Sequence, residues 1–233
     1  MTVNQTIRWV LKPAVFLAAL IPFGLLLQGA LTGNLGADPL KAITDETGVW
    51  TLRFLCITLT MTPLRRLTGW IAAIRFRRML GLFAFFYGTV HLLIFIVADR
   101  LASLGFPSLT QWRSVQALAL SIGSEILVRP YITVGFTSWV CMLALAATST
   151  GGMVRRLGGR RWQMLHRLIY VAAVAGVVHY WWLVKADIRH PEAYAAVVGG
   201  LLTFRLLWAI RARASVAARP ARGRTAAAPA SVD

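Results

Sequence analysis

The chain has 233 residues, 58% of them apolar, a mean hydropathy of +0.65, and 25 Lys and Arg against 8 Asp and Glu, giving a formal net charge of +17. So apolar a composition excludes an ordinary soluble domain, and the basic excess describes a membrane protein with positively charged loops. The charge needs no nucleic acid to explain it, although a basic tail suits anionic lipid.

At about 20 residues per crossing, six apolar runs approach spanning length, at 9–31, 48–64, 79–98, 131–150, 162–184 and 193–210. The expected fold is therefore all-α, a polytopic bundle of six transmembrane helices forming one domain over 1–212. The Ala-, Pro- and Arg-rich segment 213–233 reads as a disordered cytoplasmic tail. The first run is longer than a signal-peptide core and no A-x-A site follows, so it reads as a permanent helix. A shorter apolar piece, 115–127, cannot span and is expected to lie along the outer surface. Cys56 and Cys141 fall inside runs without metal-ligand spacing and read as packing thiols. No internal repeat is visible.

Orientation follows from the basic residues. Arg65, Arg66, Arg75, Arg77 and Arg78 crowd the second connection, and Arg155, Arg156, Arg160 and Arg161 the fourth. The alternate connections carry mixed charge, with Asp38, Lys41, Asp45 and Glu46 in the first, and Lys185, Asp187, Arg189 and Glu192 in the fifth. Both termini are thereby expected in the cytoplasm.

Two histidines then stand out. His91 precedes Asp99 by eight residues and His179 precedes Lys185 by six, so both lie in the outer half of the membrane at matched depth. An ionisable side chain inside hydrocarbon is costly and marks function. Two at one depth on different helices suit a single ligand, and heme iron held by two imidazoles fits best. Each histidine also closes a stripe of small residues. Ala84, Gly88 and His91 follow at i, i+4 and i+7, while Ala172, Ala175, Gly176 and His179 follow at i, i+3, i+4 and i+7. Such stripes leave a slot beside each ring, and they equally serve close helix packing.

His166 lies one turn into the fifth run, near the cytoplasmic face. Thirteen residues separate it from His179, a rise of about 20 Å that would suit a second stacked centre, but the two rings would stand about 140° apart on a straight helix. The third run offers Arg78 where a second inner ligand would be wanted. His190, in the short outer loop, reads as solvated, and Trp181 and Trp182 as an interfacial belt. Arg77, Arg78, Arg160 and Arg161 satisfy the charge bias, with an anionic cofactor such as a flavin phosphate as their alternative use. The run Thr148-Ser149-Thr150-Gly151-Gly152 is no phosphate loop. The chain carries no dinucleotide-binding fingerprint, no carboxylate pair and no nucleophile–base set. An electron conduit remains, with a small transporter whose histidines bind substrate or protons as the rival class.

The segments ITDETGVWTLRFL (43–55), TPLRRLTG (62–69), RRMLGLFAFFYGTVHL (77–92), RPYITVGF (129–136) and RWQMLHRLIYVAAVAGVVHYWWLVK (161–185) resemble the MsrQ/YedZ family, heme-binding membrane subunits of the bacterial periplasmic methionine sulfoxide reductase system. That family is similar to the ferric-reductase-like transmembrane domain. The resemblance spans about residues 5–210 and matches the family's histidine pattern at His91, His166 and His179. It implies one or two b-type hemes, an associated FMN and an inner-membrane location. It also implies a periplasmic molybdenum-containing reductase as acceptor, and the quinone pool or a cytoplasmic flavin reductase as donor. A stand-alone ferric or oxygen reductase of the same superfamily is the nearest alternative.

Overall fold

In the computed structural model, residues 2–101, 103–104, 110–184 and 186–217 are described, and every regular element among them is helical. Helix α1 spans Lys12–Thr32 and is preceded by a helical turn at Val3–Thr6 and a π-type turn at Ile7–Leu11. It ends at Gly33, whose φ of 71° is the left-handed cap that a residue without Cβ adopts freely. Helix α2 spans Pro39–Thr68, opened by the Asp38 carboxylate accepting the Lys41 N–H at 2.9 Å and by a proline in the first turn. It thus begins well before the expected run at 48. Asp45 and Glu46, expected in a loop, ride on this helix instead. The capping chemistry overrode the charge signal.

Helix α3, Ile74–Ile94, continues as a π-type segment, Phe95–Leu101. Helix α4, Trp112–Val128, contains the short apolar piece and buries none of its own residues. Helix α5 is Pro130–Ala147, and α6 and α7 are the short helices Gly151–Leu157 and Gly159–Leu165. Helix α8, Leu168–Leu183, follows a turn at His166–Arg167, so the run expected to be continuous over 162–184 is broken there. Helix α9, Arg189–Ala217, runs past the expected domain end at 212; the remainder of the expected tail, 218–233, lies outside the described residues, as does Lys185.

Among the described residues, four stretches are long and apolar enough to cross a membrane: Asn4–Thr32, Ile71–Ala98, Pro130–Ala147 and Arg189–Ser215. Helices α2 and α8 fall short for identifiable reasons. Helix α2 is diluted by Arg53 and by threonines at 47, 51, 58, 60 and 62, and α8 has only 16 residues. The threonine cost is partly offset within the helix. Thr47 donates to Ile43 O at 2.7 Å, Thr51 to Thr47 O at 2.9 Å and Thr60 to Cys56 O at 2.9 Å, which satisfies the hydroxyls where water is scarce.

The closest pairings are α2 with α3 and α5 with α8. These two pairs meet through α3–α5 and α2–α8, while α1 covers α2 and α3, α9 covers α8 and α2, and α4 rests on α5. Helices α1 and α9 turn Leu17, Leu25, Leu31 and Leu206 outward, the pattern of a surface solvated by lipid. The buried centre between α1, α2 and α3 is aromatic. Phe54 stacks on Phe83 at 5.5 Å and on Tyr87 at 5.3 Å, and Phe86 meets Tyr87 edge-on at 5.3 Å.

Internal prolines explain two cross-links. Tyr87, fully buried, donates to Ala19 O at 2.8 Å and accepts from the Phe23 N–H at 3.1 Å, straddling the turn of α1 that holds Pro22. In α2, Pro63 has no N–H to offer the Leu59 carbonyl four residues back. The Arg205 guanidinium of α9 donates to that carbonyl and, at 2.8 Å, to the Tyr170 hydroxyl of α8. One side chain therefore ties three helices together. Arg205→Leu is expected to cost about 1–3 kcal/mol, the price of an orphaned buried carbonyl. Thermal unfolding in detergent checks it, and an unchanged midpoint would show that Leu59 O has another partner.

Candidate bis-histidine site

The two histidines approach each other across the junction of the two helix pairs. His91, on α3, and His179, on α8, have ring centres 6.1 Å apart with planes inclined at 81°. One metal ion held linearly between two imidazoles at about 2.0 Å per bond separates the ring centres by roughly 6 Å. Both rings line one cavity of about 300 Å³, walled largely by apolar side chains including Val49, Leu52, Leu92, Phe136, Trp139 and Met142.

What holds each ring is the same device used twice. His91 Nδ1 lies 3.0 Å from Thr44 O on α2, and His179 Nδ1 lies 2.7 Å from Tyr131 O on α5. A carbonyl only accepts, so Nδ1 carries the proton in both rings and Nε2 keeps its lone pair. That is the tautomer a metal requires, fixed by a backbone partner. Four residues after each carbonyl stands a glycine. A Cβ on Gly48 would come within 3.2 Å of His91 Cε1, and one on Gly135 within 2.7 Å of His179 Nδ1. The missing side chains let each imidazole lie against the neighbouring backbone and reach a carbonyl one turn back. Thr47 Oγ1 adds a longer contact to His91 Nδ1 at 3.4 Å.

The small-residue stripes divide between two duties. Gly88 and Gly176 line the cavity. Ala84 and Ala172 are fully buried and Ala175 nearly so, and none of the three is among the cavity's lining residues. Ser138 Oγ also donates to the Ala172 carbonyl at 2.8 Å. The alanines therefore set helix spacing, and the glycines open the slot. His166 stands apart from the cavity. Its ring packs on Trp162 at 3.8 Å and its Nε2 lies 3.4 Å from Thr148 Oγ1. The helix breaks at His166–Arg167, so the straight-helix phase of about 140° does not hold, yet no second imidazole joins His166 among the described residues. Among the described residues no cluster of three or more His, Cys, Asp or Glu is positioned to hold a metal. Two imidazole donors and an apolar slot leave the remaining coordination positions to a planar macrocycle, and the donor set fits a six-coordinate heme.

Sequence reasoning missed Gly48, Gly135, Thr44 and Tyr131. The only signal was a glycine four residues after Thr44 in ITDETG and four after Tyr131 in YITVG, neither near a histidine in the chain.

The family described as "Ferric reductase like transmembrane component" matches residues 47–177 of this chain. A relative from Ralstonia nicotianae is 50% identical over 200 residues, covering 85% of each chain, and one from Herminiimonas arsenicoxydans is 46% identical over 205 residues, covering 87% of each. A third, from Xanthomonas euvesicatoria, is 46% identical over 215 residues, covering 89% of this chain and 91% of its own. All three are described as the protein-methionine-sulfoxide reductase heme-binding subunit MsrQ. The chain belongs to the MsrQ family within the ferric-reductase-like membrane proteins.

Proposed function

We propose that this protein is the electron-carrying membrane subunit of a protein-methionine-sulfoxide reductase system, binding b-type heme between His91 and His179. One observation carries the reading: two imidazoles 6.1 Å apart, each with Nδ1 engaged by a backbone carbonyl, line one largely apolar cavity. Heme bound there supplies reversible one-electron chemistry at iron. The chain's own residues do the rest. Thr44 and Tyr131 fix the imidazole tautomers, the apolar walls exclude water, and two protein ligands leave no open position for oxygen. Arg129, at the cavity lining and 2.7 Å from Glu125, offers a cation for propionate.

The membrane reading extends the four apolar helices to six crossings with α2 and α8, both termini cytoplasmic, in the bacterial inner membrane. Electrons then come from the quinone pool or a cytoplasmic flavin reductase, with FMN as an associated cofactor, and leave to a periplasmic molybdenum-containing reductase. His166 would be the ligand of any inner heme. The test is spectroscopic. Purified protein is expected to show a sharp Soret band and, once reduced, to be reoxidised by the partner reductase plus oxidised protein. Rapid reoxidation by ferric chelates or oxygen alone would favour the stand-alone reductase, and a colourless preparation would favour a transporter.

A further inference from the structure

At the end of the bundle away from the bis-histidine cavity, polar atoms gather that find no partner. Helices α2 and α3 run antiparallel in one register: a Cβ on Gly88 would meet Thr51 at 3.4 Å, and one on Gly81 would meet Thr58 at 3.6 Å. One turn further, that register sets Thr62 of α2 opposite Arg77 of α3. Thr58, Thr62 and Arg66 follow at i, i+4 and i+8 and form one stripe. Thr58 is only 4% exposed, yet its Oγ1 and that of Thr62 have no hydrogen-bond partner among the described residues. Arg205 of α9 spends its two terminal nitrogens on Leu59 O and the Tyr170 hydroxyl, and its buried Nε has no partner either. Three orphaned donors thus surround Leu59.

The cations beside them also lack an anion. Arg77, half-buried, lies in the repulsive field of Arg205, and no acceptor among the described residues reaches it. Arg66 has only the face of Trp208, 4.9 Å from the ring centre and one turn beyond Arg205 on α9. No carboxylate among the described residues can answer them. Helices α1, α3, α5, α6, α7 and α8 carry none. On α2 the last acid, Glu46, precedes Thr58 by 12 residues, and on α9 Glu192 precedes Arg205 by 13, about 18–20 Å along either helix. Partly buried cations without a counter-ion are costly, and hydroxyl donors beside them make the deficit one of acceptors.

Depth and surroundings select the anion. Helix α2, with 30 residues, is about 45 Å long against about 30 Å of hydrocarbon, so when centred it leaves about 7 Å of each end among headgroups. Thr62 stands six residues, about 9 Å, from the end of α2, at the level where lipid phosphates begin. Beside Arg205 and Trp208, α9 exposes Leu206, Leu207 and Ile210, an apolar surface that a free phosphate would leave bare and that acyl chains would cover. A zwitterionic headgroup would bring its own cation toward three arginines. We propose that this junction of α2, α3 and α9 is a site for one anionic phospholipid, its phosphodiester held by Arg66, Arg77 and Arg205 with the threonine hydroxyls as further donors. Guanidinium–phosphate bonds are among the stronger charge-assisted hydrogen bonds, and basic pockets between membrane helices suit such headgroups. The bound lipid completes the seam between α2 and α9 and does not depend on the electron-conduit reading.

The experiment titrates full-length protein, stripped of lipid in detergent, with phosphatidylglycerol and separately with phosphatidylcholine, and counts bound lipid by native mass spectrometry. One phosphatidylglycerol is expected to bind, about tenfold more tightly than phosphatidylcholine. Arg66→Gln and Arg77→Gln should each weaken it about fivefold. Because removing an arginine could loosen the bundle, Thr62→Val serves as a variant that keeps shape and charge while deleting one donor, with an expected loss of about threefold to tenfold. Arg160→Gln, exposed on the short helix α7, tests for diffuse charge attraction and should leave binding unchanged. Equal affinity for the two lipids, an equal loss in Arg160→Gln, or undiminished binding in all three site variants overturns the site. Displacement of the lipid by inorganic phosphate at equal molar ratio overturns a phospholipid as its occupant.

Discussion

His91→Ala and His179→Ala are each expected to purify with heme content lowered about tenfold or more, since even the outer partners of a ligating histidine contribute that much to affinity. The two rings act as a unit: 6.1 Å between centres leaves room for one iron held from both sides, and a single remaining imidazole holds it from one. His166→Ala should retain most of its heme, because that ring packs on Trp162 outside the cavity. Soret absorbance per polypeptide measures all three. Equal loss in the three variants would refute the ranking and move the site toward the His166 end of α8.

The second large effect comes from adding one methyl group. Gly135→Ala places a Cβ 2.7 Å from His179 Nδ1, 2.9 Å from Cε1 and 3.0 Å from Cγ, so the whole imidazole must move and the bond to Tyr131 O breaks. Gly48→Ala meets His91 at 3.2 and 3.3 Å, which a shift of a few tenths of an ångström relieves. Overpacking of this kind costs about 1–3 kcal/mol, and here the strain falls on a ligand. Gly135→Ala should lose most of its heme, with whatever remains showing an altered low-spin electron paramagnetic resonance signal. Gly48→Ala should keep its heme with a smaller spectral change. A full complement of heme with native spectra in Gly135→Ala would mean that His179 is held some other way.

Much of this was legible because hydrocarbon punishes exceptions. A histidine within a long apolar run is conspicuous, and the positions of His91 and His179 at equal depth needed only the helical rise and a charge count. Helix ends were less readable. Asp38 and Pro39 start α2 inside a segment whose charges resemble a loop, since a cap acts over three residues while hydropathy averages over many. The turn at His166–Arg167 carries neither glycine nor proline, so no helix-breaking residue marks it. Contacts between distant segments left no trace at all. The carbonyls of Thr44 and Tyr131 are main-chain atoms, present at every residue, and only the fold brings them to a ring. Pro63 and Arg205 illustrate the same limit: the proline announces an orphaned carbonyl, but nothing in the sequence says which cation answers it.

Those main-chain anchors have a genetic corollary. Because each imidazole is steered by a peptide oxygen, no substitution at Thr44 or Tyr131 can delete the acceptor, and the surrounding side chains are free to drift. The mutable element is instead the space beside the ring. Heritable damage to ligand geometry should therefore concentrate at two codons for the smallest amino acid, far from the histidines in the gene and silent to any scan of hydrogen-bonding side chains.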